Sequence, residues 1–172
     1  MAGDIGCYTL AAMKPISGMD MQICMGASIG MGLGLRKVLP EAQARKVVSV
    51  IGDSTFMHSG LTGLLEMVYN PPPTGHVVVV VDNSTTAMTG QQEHPGTGRK
   101  LDHSPTHAVS IEDAARAIGV QNVAVFKPVT EGEKFQKYLE EKLAADELTL
   151  IILRQPCLLA AAEIAKRKAA GK

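Results

Sequence analysis

The sequence predicts an α/β fold of three layers, α/β/α, built on a mainly parallel sheet. Three observations carry that expectation. Short valine-rich runs alternate with longer helix-patterned segments along the chain. One of these runs, Val77 to Val81, is an unbroken apolar strand of the kind covered on both faces. The length, 172 residues, suits one domain with a real core and is short for two. Residues 1–172 are therefore expected to form a single domain.

The elements follow in chain order. Gly26 to Leu39 reads as a small-residue-rich helix that stops before Pro40. Its Gly26, Gly30 and Gly34 share one face and predict a tight contact, inside the domain or across a subunit interface. Lys46 to Ile51 is a β-rich run ending at Gly52. Thr55 to Tyr69 has apolar positions at Leu61, Leu64, Leu65 and Val68, then meets three prolines, Pro71 to Pro73. His76, ahead of the valine run, is expected in a surface loop. Ile111 to Ile118 follows Ser110, with Asp113 three residues on, a capping-box-like start. Asn122–Phe126 and Leu148–Leu153 are two more strands, with a surface helix over Glu131–Ala145 between them. The Ala/Lys-rich tail, 160–172, is expected to be a frayed helix ending in a solvated Lys166-Arg167-Lys168.

Composition excludes several functions. Seventeen basic residues balance seventeen acidic ones, so nothing electrostatic favours nucleic acid or an anionic membrane. The longest uncharged apolar stretch, Ile23 to Leu35, carries four glycines and falls short of the roughly 20 residues a membrane span needs. Asp4 interrupts any signal peptide. Three scattered cysteines, Cys7, Cys24 and Cys157, have no C-x-x-C spacing and suit a reducing cytoplasm. Cys24 and Cys157 are expected in the core, and Cys7 as packing rather than a reactive thiol. The cytoplasm is the expected location.

Parallel sheets of this kind bind ligands where loops leave the carboxyl ends of strands. Two loops qualify: Gly52-Asp53-Ser54 and Asp82-Asn83-Ser84. The Asp53 carboxylate and the Asn83 amide oxygen make a small oxygen site of the type magnesium prefers, completed by phosphate and water. The helix that follows Asp53 offers free N–H groups to an anion, and Ser54 and Thr55 add hydroxyls. From Asn83 to about Ser110 no helix or strand period appears. A segment that long, starting at a ligand edge, is expected to be an active-site loop. It holds His94, His103 and His107. His94 is the candidate for substrate contact or loop ordering; a zinc site would need a third ligand and rigid geometry. His58 reads as a satisfied structural histidine.

Gly52-Asp53-Ser54 followed after twenty-seven residues by Asp82-Asn83 resembles the thiamine-diphosphate signature, G-D-G then N-N. Ser54 and Asp82 depart from it without removing the presumed ligands. Together with Gly3–Leu10, Met25–Gly30 and Asp82–Gln91, these blocks look like the large subunit of the indolepyruvate:ferredoxin oxidoreductases, in the 2-oxoacid:ferredoxin oxidoreductase family. The resemblance implies a thiamine-diphosphate-binding module with magnesium on Asp53, Asn83 and the Thr85 carbonyl. It implies that Asp4, Ile5, Gly6 and Cys7 line the thiazolium end and that Met25 props the cofactor into its bent shape. The Ile23 carbonyl would accept from the pyrimidine amino group. Thr86, Ala87 and Met88 would cover the diphosphate beside Gly26, Gly52, Ser54 and Thr55. The implied reaction is oxidative decarboxylation of a 2-oxoacid, an aryl pyruvate such as indolepyruvate. Electrons would pass to iron–sulfur clusters and the acyl group to coenzyme A.

The activating glutamate of that superfamily belongs to a pyrimidine-binding domain, and neither it nor a cluster domain is found here. The expected partners are therefore a pyrimidine-binding domain or subunit and an iron–sulfur or ferredoxin partner, in an oligomer, with the isolated chain inactive. Three rivals stand beside this reading. One is a subunit of a non-oxidative decarboxylase of the sulfopyruvate or phosphonopyruvate kind, against which the Ser84–Gly90 block speaks. The second is a non-catalytic module for a nucleotide or phosphate ligand, and the third an interaction domain with no cofactor at all.

Overall fold

A computed structural model describes residues 1–162. The elements are β1 (Ala2–Gly3), β2 (Met21–Gln22), α1 (Ala27–Val38), α2 (Glu41–Ala44), β3 (Val48–Gly52), α3 (Asp53–Thr55), α4 (Leu61–Tyr69), β4 (His76–Asp82), α5 (Ile111–Ile118), β5 (Asn122–Phe126), α6 (Pro128–Ala144) and β6 (Leu148–Arg154). A one-turn π segment, Phe56–Gly60, joins α3 to α4. The six strands pair in the order β2-β1-β3-β4-β6-β5, and every pairing is parallel. Parallel pairing needs crossovers, and the helices supply them on both faces.

β4 shows why the valine run is a strand. Val78 and Val80 pack with Ile51, Leu150 and Ile152 beneath α1, α4 and α5, through Ile29, Leu33, Leu64, Met67, Ile111 and Ala115. Val77 and Val79 face the other side, with Val50 and Ile151 beneath Phe135, Tyr138 and Leu139 of α6. Alternation along a strand sends neighbours to opposite faces, so a strand covered on both needs apolar residues at every position. Phe126 meets Phe135 and Tyr138 at 6.0 and 5.4 Å between ring centres. Three of the chain's six aromatic residues thus sit on the α6 face.

The expected elements are found, with edges moved. Ser110 caps α5 by accepting the Asp113 N–H at 3.1 Å, and Gly119 ends that helix in the left-handed region at φ 117°. α6 begins three residues before the expected Glu131. Pro128 occupies its first turn, where no N–H is required, and the Glu131 carboxylate takes the Lys127 N–H at 2.9 Å. β1 and β2 escaped notice because two residues cannot display a period.

Three expectations fail and a fourth holds only in part. His76 is not in a surface loop; it opens β4 and is fully buried. Cys24 is exposed and Cys157 half-buried, because both lie in irregular segments outside the sheet layers. His58 is exposed on the π segment rather than held as a satisfied structural histidine. Of the three glycines expected in a tight contact, Gly26 makes one, since a Cβ there would meet Ser59 Cβ at 2.9 Å, but it precedes the helix at φ 91°. Gly30 and Gly34 face open space, and the close contacts of α1 are at Gly32 and with Gly63 of α4, whose Cβ would meet Ile29 at 3.1 Å. Among the described residues no helix is long and apolar enough to cross a membrane. All but three residues of the expected 160–172 helix, including Lys166–Lys168, lie outside the described residues.

Candidate cofactor site

A cavity of about 220 Å³ opens at the carboxyl ends of β3 and β4. Thirteen of the sixteen sequence-predicted cofactor residues line it. They come from four places: Ile5, Gly6 and Cys7 after β1; Met25 before α1; Gly52 to Thr55 at the β3–α3 junction; and Asn83, Thr85, Thr86, Ala87 and Met88 after β4. Cys7 is exposed here, not packed away.

Its floor is made by two strand ends. Asp53 is buried; its Oδ1 accepts the Ser54 N–H at 2.9 Å, and its Oδ2 accepts the Ser84 N–H at 2.7 Å and faces His94 Nε2 at 3.2 Å. A carboxylate offers about four lone-pair sites, so roughly one is left for a further ligand. Asn83 Oδ1 accepts the Thr85 N–H at 3.1 Å, which uses one of its two lone pairs. Ser84 between them is left-handed at φ 60°. That sparsely populated conformation aims the Ser84 and Thr85 N–H groups back at Asp53 and Asn83. The donor set is all oxygen, with lone pairs to spare, and it fits magnesium.

The wall above is polar on one side and apolar on the other. The Thr86 hydroxyl donates to Ser54 Oγ at 2.7 Å, which leaves the Ser54 proton free to donate into the cavity. Met25 and Met88, each about half exposed, form an apolar rim. Ile23, with 67% exposure, does not line the cavity but stands at the same end of α1.

Three predicted residues are placed elsewhere. Asp4 is fully buried and accepts the Gly26 and Ser28 N–H groups, both at 2.7 Å. It therefore caps α1 from the end of β1, and burial raises its pKa against the pull of those N–H groups. Gly26 and Ile23 flank that cap. His94 orders the loop: its Nε2 faces Asp53 and its Nδ1 accepts the Gly96 N–H at 3.2 Å. His103 bonds Glu93 at 3.0 Å, and His107 is exposed. Tyr8, Val81 and Thr89 line the cavity unforeseen. Of these Tyr8, one residue past Cys7, and Thr89, one past Met88, lie inside the blocks that carried the resemblance; Val81 carried no signal beyond its strand.

The loop itself is irregular yet ordered. Thr86 pairs with Gln92 and Arg99 with Pro105 as isolated bridges, and Glu93 joins Arg99 at 2.9 Å as well as His103. Such self-packing is what a long functional loop needs in place of a helical or strand period.

Comparison with known proteins gives three findings. Residues 4–153 match the family of the C-terminal thiamine pyrophosphate binding domain of thiamine pyrophosphate enzymes. The chain is 45% identical over 159 residues to the indolepyruvate oxidoreductase subunit IorA of Archaeoglobus fulgidus, covering 92% of this chain and 24% of that protein. The subunit of the same name from Pyrococcus horikoshii is 39% identical over 166 residues, covering 91% of this chain and 25% of that protein. The chain thus spans about a quarter of the length of the curated relatives it matches. Its fold is similar to a 2-oxoglutarate:ferredoxin oxidoreductase from Magnetococcus marinus with 2-oxoglutarate, coenzyme A and succinyl-CoA bound. The TM-score is 0.72 at 14% identity, over 90% of this chain and 53% of that one, a likeness of fold. With a match running from the end of β1 into β6, over every loop that builds the cavity, the chain belongs to the C-terminal thiamine pyrophosphate binding domain family.

Proposed function

We propose that this chain is the thiamine-diphosphate- and magnesium-binding module of a 2-oxoacid:ferredoxin oxidoreductase of the indolepyruvate type. One observation carries the reading: a single cavity gathers four separated sequence blocks over an oxygen-only floor with lone pairs to spare. The names of the relatives supply the substrate class, an aryl 2-oxoacid such as indolepyruvate.

Asp53, Asn83 and the Thr85 carbonyl would hold the magnesium ion. The Ser54 hydroxyl and the first free N–H groups after Gly52 would neutralise the diphosphate. His94 and the Ser84 N–H keep the Asp53 carboxylate oriented. Met25 and Met88 would exclude water from the reacting end. Bound there, thiamine diphosphate supplies the electron sink for decarboxylation of the 2-oxoacid. The exposed Ile23 and Met25 call for a covering surface, which suits a pyrimidine-binding domain or subunit. An iron–sulfur or ferredoxin partner and coenzyme A would complete the reaction in an oligomeric assembly.

Calorimetric titration of thiamine diphosphate, with magnesium, with EDTA and with Asp53→Ala, tests the site. Binding is expected to need magnesium and to weaken by ~100-fold or more in the variant, beyond the loss typical of an outer-shell change. Magnesium-independent binding, or full affinity in Asp53→Ala, would refute the assignment. If the chain alone binds nothing, the titration is repeated with the pyrimidine-domain partner, and failure there refutes it equally.

A further inference from the structure

The loop from Asn83 to Ser110 leaves the sheet at β4 and returns at α5, and both its ends meet one side chain. Arg154, the last residue of β6, sets its Nε 2.6 Å from Asp82 Oδ2. Its Nη1 and Nη2 reach the two carboxylate oxygens of Glu112 at 2.8 and 3.1 Å. Asp82 ends β4, and Glu112 lies in the first turn of α5. Asp82 turns its other oxygen, Oδ1, to the Ser84 N–H at 3.0 Å and the Ser84 hydroxyl at 3.3 Å. That same N–H reaches Asp53 Oδ2 at 2.7 Å. The backbone just beyond Arg154 braces the same place: Gln155 N–H donates to the Asp82 carbonyl and Cys157 N–H to that of Asn83, at 2.9 and 3.0 Å.

We propose that Arg154 is a positioning residue for the diphosphate and magnesium site. It does not line the cofactor cavity. It pins both ends of the 83–110 loop and, through Asp82, fixes the Ser84 N–H that orients Asp53. The inference rests on the reading of the cavity given above. Two features set Arg154 apart from a surface ion pair, which is worth little. All three of its nitrogens engage carboxylates, and only a planar guanidinium can bind Glu112 in a fork while reaching Asp82. Asp82 is nearly buried, so losing its cation leaves a negative charge next to the ligand loop that water solvates poorly.

The test uses the intact natural protein that carries this chain, with Arg154→Met, Arg154→Lys, and Arg154→Met combined with Asp82→Asn. Calorimetry measures thiamine diphosphate affinity at fixed magnesium, and amide hydrogen exchange follows residues 83–113 without cofactor. Arg154→Met is expected to weaken affinity about tenfold or more. It should also speed exchange at Ser84 and in the first turn of α5. Arg154→Lys should fall between the wild type and Arg154→Met, since an ammonium still neutralises Asp82 but cannot form the fork to Glu112. Adding Asp82→Asn to Arg154→Met should recover part of the affinity, because the carboxamide oxygen still accepts the Ser84 N–H and no charge is stranded, while the fork to Glu112 stays open. Unchanged affinity with a lowered melting temperature would make Arg154 a fold brace and overturn the proposal. Faster exchange confined to the α5 end would do the same. Should Arg154→Met not fold, Glu112→Gln opens half the clamp and must show threefold weaker binding or the proposal falls. Asp53→Ala in the same titration separates the two claims. If it binds like the wild type, the site reading itself fails and takes this one with it; if it alone loses binding, only the role of Arg154 is refuted.

Discussion

Two clusters of polar side chains sit at opposite ends of β3 and β4, and only the one at the carboxyl ends faces the cavity described above. At the amino ends, Arg36 reaches out of α1 to five backbone contacts. They run from Nη1 to the Thr74 and Gly75 carbonyls, both at 2.8 Å, from Nη2 to Arg45 and Val47, and from Nε to Val47. Ser49 donates to the Ser28 carbonyl at 2.7 Å, so the 2.9 Å contact with His76 must be donated by His76 Nε2. Gly32 packs so closely there that a Cβ would lie 2.1 Å from Ser49 Oγ. At the carboxyl ends, Asp53 and Asn83 are held as firmly but keep lone pairs free, and the space above them is open. Burial of polar groups therefore does not mark a site. Spare hydrogen-bonding capacity facing a cavity does.

If the first cluster is structural, breaking it should cost stability and leave ligand binding alone. Arg36→Met leaves several buried carbonyls unpaired and is expected to lose on the order of 3–5 kcal/mol, at about 1–3 kcal/mol per stranded group with partial relaxation. Urea denaturation measures this, and cofactor affinity in the folded fraction should stay within about twofold if the two ends are independent. A large affinity loss would break the comparison. Gly32→Ala forces Ser49 and the His76 ring apart and is expected to cost about 1–3 kcal/mol, read the same way.

His76 sharpens the contrast through pH. Burial first, and the nearby Arg36 second, push its pKa down to about 3. In the unfolded chain the ring takes a proton as pH falls below about 6.5, while the native ring stays neutral until near the depressed value. Its contribution is thus complete above pH 6.5 and is lost as pH falls from there toward 3, by at most ~1.4 kcal/mol per pH unit. His76→Gln should flatten that slope in denaturation curves recorded from pH 7 to pH 4; an unchanged slope would mean the ring is not buried neutral. The smallest stability effect belongs to the site. Asp53→Asn keeps one acceptor oxygen and is expected to shift stability by only about 1 kcal/mol, even while it removes magnesium-dependent binding.

How legible was this in the chain? The strands at Asn122 and Leu148 and the Ser110 cap of α5 are local statements, and periodicity and cap chemistry recovered them. Asp53 and Asn83 were legible for the same reason, since each directly follows a strand, the one opening a helix and the other a loop. His76 was misplaced because a lone polar residue ahead of an apolar run looks like its solvent-facing end. Only α1, passing over it at Gly32, buries it. Asp4 was read as a cavity residue because the family resemblance carried it together with Ile5, Gly6 and Cys7 as one block. Its carboxylate instead turns to the start of α1, twenty-two residues away. The link from Arg154 to Asp82 spans 72 residues and leaves no pattern in either segment.

What the sequence by itself determined is the order of strands and helices, the parallel sheet and the two loops that line the cavity. These depend on side-chain period and turn chemistry within a few residues. The tertiary structure alone decided which polar groups are satisfied and which are left open, because that depends on what distant segments bring into hydrogen-bond reach. The same sheet thus closes its amino end into a brace and leaves its carboxyl end ready for a ligand.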